Sequence, residues 1–225
     1  MTLDTEAIPR IDAALSGVLR IGVLRTGGVR VAAADEALRA EVTRAAAKKK
    51  SAFADLDVGS IPGVQDARKL YRALGIDPTR TRPSSEALLL RALKGQLLPA
   101  ISNAVDVANL VAFEHLLPVG LYDAARISGP IEIRVGRAGE QYEGIRKDSV
   151  HLEGRIALAD ERGPFGNPTA DSRRTMVTEA TTEILFVMLG PREVDADRLR
   201  AALARADELL TRHASGRLVG TALVP

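Results

Sequence analysis

The stretches of this chain with a strand's two-residue alternation and those with a helical period do not follow one another in regular turn. Regular alternation of the two would build a doubly wound parallel sheet. The irregular order points instead to an α+β fold, with helices packed on mainly antiparallel sheets. Val18–Leu24 reads as a strand that Thr26-Gly27-Gly28 turns into Val29–Ala33, giving a hairpin. A helix over about 36–48 follows, capped by Asp35, with Leu38 and Val42 on one face. Lys48, Lys49 and Lys50 close it, serving either the helix dipole or an RNA contact. Val64–Leu74 is a short helix ended by Gly75, and Asp77-Pro78 is a turn. Further strands are expected at Ile131–Val135, Gln141–Ile145, His151–Ala159 and Glu183–Leu189. A long amphipathic helix then starts at Asp195 or Asp197 and stops at Gly216, before a last strand at Arg217–Val224.

The length, 225 residues, suits one domain, and neither an internal repeat nor a low-complexity linker interrupts it. Hydrophobic residues make up 46% of the chain but aromatics only 3%, so the core must be built from Ala, Leu, Val and Ile. The absence of cysteine excludes disulfides, thiolate metal sites and a cysteine nucleophile. The N-terminus has no basic segment leading into an apolar run, and no stretch approaches a membrane span. A cytoplasmic protein with no membrane partner is the expectation. The net charge of +2 is a weak footprint for a nucleic-acid binder. Its distribution says more. Arg68, Lys69, Arg72, Arg80, Arg82, Arg91 and Lys94 fall in a stretch whose acids are Asp77 and Glu86, which is either a solvated basic surface or a phosphate-binding one.

Three places carry candidate site residues. Pro83-Ser84-Ser85 opens a helix with Leu88, Leu89 and Ala92 facing inward; Ser84 or Ser85 caps it, or the free N–H groups there receive an anion. In Asn103–Val111, Asn103, Asp106 and Asn109 form one polar stripe on an otherwise apolar helix. Buried, each needs partners, so the stripe feeds a hydrogen-bond network or faces a polar pocket. Third, residues 160–174 read as a long loop with two glycines and two prolines, where the paired Arg173 and Arg174 beside Asp171 either grip a phosphate or carboxylate or form a local Asp–Arg ion pair. His115, His151 and His213 are too scattered for a metal site, and neither a P-loop nor a nucleophile elbow is present; no cofactor is expected.

Ala104-Val105-Asp106-Val107-Ala108-Asn109 through Pro118-Val119-Gly120-Leu121-Tyr122-Asp123 resembles the β-subunit of bacterial phenylalanyl-tRNA synthetase. The similarity is to its B-three/four editing domain, with a Val-Asp-x-x-Asn helix followed by a Pro-x-x-x-aromatic-Asp corner. It extends through Gly129-Pro130-Ile131, Ile133-Arg134, the Asp160 turn, the glycine-containing loop and Val177-Thr178-x-x-Thr181. It is strongest over 70–190, with 1–69 and 191–225 as flanking elements of one domain. The synthetase's catalytic, ferredoxin-like and anticodon-binding regions are absent, so the chain resembles a free-standing editing domain. The resemblance implies hydrolysis of mischarged aminoacyl-tRNA in trans, in a pocket between the Asn109 helix and the sheet, mouthed by 163–174. Asp171 and Asn109 would be catalytic. Ser85, Asn103, Gly120, Tyr122, Asp123, Gly166, Asn167, Arg174 and Thr178 would bind substrate, and Arg80, Arg82, Arg91, Lys94 and Arg173 would bind tRNA; DNA is not an implied partner. The alternative is a non-catalytic module that binds tRNA or an amino acid. The family's histidine before the corner is here Gly120, and its editing glutamate has Asp171 only as a positional counterpart, so the family's discrimination against tyrosine does not carry over.

Overall fold

The computed structural model describes Leu3, residues 8–146 and residues 148–225. In chain order the elements are β1 (Arg10–Ile11), β2 (Leu19–Gly27), α1 (Glu36–Phe53), α2 (Pro62–Ala73), α3 (Ser84–Leu93), α4 (Asn103–His115), β3 (Val119–Asp123), β4 (Glu132–Val135), β5 (Gln141–Tyr142), β6 (Val150–His151), β7 (Ile156–Asp160), β8 (Gly163–Asn167), β9 (Ala170–Asp171), β10 (Glu183–Pro191), α5 (Ala196–Ala214) and β11 (Arg217–Val224). One sheet has the order β11-β2-β10-β3 and is antiparallel throughout. A second has the order β1-β4-β7-β8-β9, antiparallel except at the β1–β4 pair. β5 and β6 form a separate hairpin. The fold is α+β.

Strand β10 joins the layers. Its successive side chains point to opposite faces, as in any strand, and both faces are buried. Ile184, Phe186 and Met188 join the helix-side core with Leu110 and Phe113 of α4 and Leu199, Leu203 and Leu210 of α5. Leu185, Val187 and Leu189 join a second core with Ile133, Ile156, Leu158 and Phe165 of the other sheet. The molecule is therefore layered as helices, four-stranded sheet, five-stranded sheet. On β3, Leu121 pairs with Phe186 and faces the helices, while Gly120 and Tyr122 pair with Val187 and Leu185 and face the second sheet.

Several local expectations are corrected. Val29–Ala33 is not a strand; the partners of β2 are β10 and β11. Gly28 turns at φ +69° and the chain leaves the sheet, where Asn103 takes over its backbone groups. The Asn103 amide accepts from Ala32 N–H and Ala104 N–H (3.0 and 2.8 Å) and donates to the Arg30 and His213 carbonyls (2.9 and 2.8 Å). The cap of α4 is Ser102, and that of α3 is Pro83, so neither Ser84 nor Ser85 caps its helix. α1 runs on to Phe53, with Lys49 lying over the Phe53 and Phe113 rings. His151–Ala159 is split by a turn at Gly154 (φ +70°) into β6 and β7. Residues 160–174, expected to be loop, are mostly the β7–β8–β9 meander.

Asn103 satisfies four backbone groups, two of them in the approach of residues 30–32 to its helix. Asn103→Ala is expected to lower stability by roughly 2–4 kcal/mol, because partners are left unpaired in a buried setting. Urea unfolding checks this; a loss below about 1 kcal/mol would contradict the role.

Candidate functional site

The chain has three tyrosines, and all three converge on Asp171. Asp171 lies on β9, the edge strand of the second sheet, opposite Gly166 of β8. The β8–β9 turn is shaped by Asn167, whose Oδ1 accepts from Thr169 N–H (2.7 Å), the Thr169 hydroxyl (2.8 Å) and Ala170 N–H (2.9 Å). Tyr71 of α2 donates its hydroxyl to the Pro168 carbonyl at 2.6 Å, and Tyr142 of β5 donates to the Ala170 carbonyl. The carboxyl-bearing hairpin is thus clamped from two sides.

Tyr122 comes from the other sheet. It is fully buried, its ring meeting Phe165 edge-on at 5.0 Å. Its phenol end passes over two glycines: a Cβ on either Gly120 or Gly166 would overlap the Tyr122 hydroxyl oxygen. Both positions must be bare for the ring to lie there. The hydroxyl lies on the side of the Asp171 carboxyl and favours its charged form. Burial outweighs that help and pushes Asp171 up from 3.8 to about 7. Burial, aided by the negative charge of Asp171, raises the Tyr71, Tyr122 and Tyr142 hydroxyls well above their usual range, so they stay protonated donors. Asp171 itself is only half-buried, leaving it an approach from outside.

Beside the β8–β9 turn lies a cleft of about 200 Å³, lined by Asn167, Pro168 and Thr169 on one wall and Asp77, Arg80 and Thr81 on the other, with Arg155 at its edge.

The structure brings together Gly120, Tyr122, Gly166, Asn167 and Asp171, with Arg80 at the adjoining cleft. It places the other candidate residues elsewhere. Asn109 is half-buried on α4, in the helix layer, across the four-stranded sheet from Tyr122 and Asp171. The Tyr122–Asp171 cluster therefore does not lie between that helix and the sheet. Asp123 accepts from the Thr181 hydroxyl (2.8 Å) and Ala125 N–H (3.1 Å), and Thr181 in turn accepts from Thr178 N–H, so these residues build the turn before β10. Arg174 is committed to Asp160 through two bonds of 2.8 and 2.9 Å. Burial alone would raise the Asp160 pKa, but Arg174 and two backbone N–H groups hold it low. Arg173 pairs with Glu143 at 2.8 Å. Ser85 is buried with its hydroxyl unpartnered, and its neighbour Glu86 is clasped by Arg68 (2.7 and 2.8 Å) and Arg82 (3.3 Å). Arg91 bonds the Leu97 carbonyl, and Lys94 is exposed nearby at the far end of α3. Among the described residues no three His, Asp or Glu side chains are grouped to hold a metal ion. Sequence reasoning missed Tyr71 and Tyr142. The rarity of tyrosine was the available signal, but its spacing carries no period.

Layered helices and sheets around this carboxyl define an α+β protein of a recognisable class. The chain belongs to the B3/4 domain family, whose model matches residues 66–215. It is similar to the phenylalanine–tRNA ligase beta subunit of Paramagnetospirillum magneticum, 36% identical over 91 residues, covering 40% of this chain and 11% of the relative. The same subunit of Nocardia farcinica is 31% identical over 119 residues, covering 51% of this chain and 14% of the relative. This chain thus matches only a small part of those subunits. An N-terminal fragment of the phenylalanyl-tRNA synthetase beta-subunit from Pyrococcus horikoshii aligns with a TM-score of 0.47 and 14% identity, over 100% of this chain and 57% of that one.

Because the folded carboxyl titrates near 7 and an unfolded one near 3.8, the native state binds the extra proton between those values. Stability is therefore lost as pH rises from 4 to 7, by an amount on the order of 2–4 kcal/mol. Asp171→Asn is expected to flatten that part of the curve and to be the more stable form at pH 8. Chemical unfolding across pH checks it; parallel curves for the two proteins would contradict the assignment.

Proposed function

We propose that this chain is a trans-acting editing factor that hydrolyses the ester of mischarged aminoacyl-tRNA, working as one unit over residues 1–225. The observation that carries this reading is Asp171, a carboxyl raised to about 7 on a hairpin held by Tyr71 and Tyr142 and covered by Tyr122, in a family shared with phenylalanine–tRNA ligase beta subunits. A base whose pKa sits near the working pH is matched to proton transfer. Ionised Asp171 takes a proton from water as the water oxygen adds to the ester carbonyl. The tetrahedral intermediate collapses, expelling the ribose oxygen, which receives the proton. Tyr122 favours the ionised carboxyl, and the cleft at Arg80 and Asn167 receives the terminal nucleotide. No helix among the described residues is long and apolar enough to cross a membrane. The cytoplasm, where aminoacyl-tRNA is used, is the compartment this reading implies.

The second reading, a non-catalytic module for tRNA or an amino acid, is favoured by one observation. The Tyr122 ring occupies the space over Gly120 and Gly166, where a ligand would otherwise enter. Incubation with a panel of mischarged tRNAs separates the two. The editing reading predicts decay above the buffer rate, rising with pH through about 7, and a fall of roughly 10²–10⁴-fold in Asp171→Asn. Decay of every ester at the buffer rate would leave the binding reading.

Arg80 and Arg82 test the RNA partner. Their joint replacement by alanine is expected to weaken tRNA binding and flatten its salt dependence by about 0.7–0.9 in log–log slope for each phosphate no longer neutralised. Fluorescence titration over a salt series measures this; an unchanged slope would remove both residues from the interface. Arg82 is held by Glu86 at 3.3 Å, whereas Arg80 meets Asp77 only at 4.0 Å, so Arg80 is expected to carry most of the change.

A further inference from the structure

Helix α1 presents Leu38, Val42, Ala46 and Lys50 at four-residue spacing, one face of the helix. The segment that faces it, Gly95-Gln96-Leu97-Leu98-Pro99-Ala100, has no regular structure. Small side chains at Ala46, Ala47 and Ala92 leave the space between them unfilled, and a groove of about 370 Å³ results. Its walls are mostly apolar, and Leu97 at its edge is 80% exposed. That size and lining suit a small ligand with an apolar body and few polar anchors.

The groove has two polar anchors of opposite sign at one end. Asp106 of α4 lines it and is only 5% exposed. Its Oδ1 accepts the Ile101 N–H at 2.9 Å. Burial raises its pKa, opposed by backbone N–H groups at Ile101 and Ser102 and by the charge of Arg39. Arg39 lines the same end and reaches only the Asp35 carbonyl, at 3.4 Å. Neither side chain has an ion-pair partner among the described residues, although each is near enough to feel the other. A buried carboxyl is costly without a cation beside it. Lys50 stands at the opposite end, next to Gly95.

We infer that this groove binds a free α-amino acid with an apolar side chain. Its ammonium sits between Asp106 and the solvent, its carboxylate on Arg39, and its side chain among Val42, Ala46, Ala92 and Leu98. A zwitterion places its two charges a few bonds apart, matching two anchors that do not meet. A fatty acid would set an anion against Asp106, and an alkylamine would leave Arg39 unused. Lys50 at the far end disfavours a basic side chain. The site lies in the helix layer and is independent of Asp171 and of the editing reading.

The test is calorimetric titration of the full chain with L-leucine, L-phenylalanine and L-methionine, alongside 4-methylpentanoate, leucinamide and L-lysine. The apolar amino acids are expected to bind, and the analogues lacking either charge to bind about tenfold or more weakly. Arg39→Ala is expected to reduce leucine binding to the level of leucinamide without changing leucinamide itself. Ala46→Phe, which fills the groove, is expected to abolish binding, and Asp171→Asn to leave it intact. Absence of heat with every amino acid at millimolar concentration overturns the inference. So does binding that survives both Ala46→Phe and Arg39→Ala, or that disappears in Asp171→Asn. Arg39→Ala changes a surface side chain, so the assignment stays testable if Ala46→Phe fails to fold.

Discussion

Strand β10 is buried on both faces, and the rest of the structure is arranged around that fact. Six of its side chains, Ile184 to Leu189, are shared alternately between a helix-side core and a core between two sheets. Each fully buried side chain of this kind contributes about 1.5–3 kcal/mol of transfer free energy. The strand cannot slip by one residue without exchanging every member of the two sets. Its register therefore fixes that of β3, which pairs with it from Ile184 to Met188. The register of β3 in turn decides that Tyr122 points into the space between the sheets.

Placed there, Tyr122 sets the surroundings of Asp171. Its ring fills the space above two glycines on different sheets, and its hydroxyl end faces the one carboxyl of the β8–β9 hairpin. Packing and electrostatics compete at that point. Bringing the sheets together gains apolar burial and costs Asp171 part of its hydration, and the nearby phenol offsets only some of the loss. The raised pKa of Asp171 is what remains. The hairpin holds its position because Tyr71 and Tyr142 bond its carbonyls and Asn167 shapes its turn.

The sequence made the fold class and most helices legible, because periodicity and caps are local. Asp35, Asp195 and the apolar run at 183–189 lie where local rules put them. The Val29–Ala33 hairpin failed because a tertiary partner, the Asn103 amide, supplies the hydrogen bonds a neighbouring strand would have given. The 160–174 meander was hidden by glycines and prolines, which read as loop although Gly166 is needed for the close approach of Tyr122. The site was legible in part. Asp171, Gly120, Tyr122 and Gly166 were singled out and do converge, whereas Asn109 was assigned to the same pocket and lies across a sheet. One-dimensional spacing cannot tell which face of a central sheet a helix covers. Tyr71 and Tyr142 act through side-chain bonds to backbone carbonyls, and these leave no pattern in sequence.

Burial beneath Tyr122 holds the Asp171 carboxyl at a near-neutral pKa in the folded chain. Carbon-detected NMR titration of the aspartate carboxyls, with the Asp171→Asn protein supplying the assignment, measures it directly. One aspartate resonance with a midpoint near pH 7, missing from the variant, is the result expected. A set of aspartates that all titrate in the ordinary carboxylate range, about pH 4, would contradict the account.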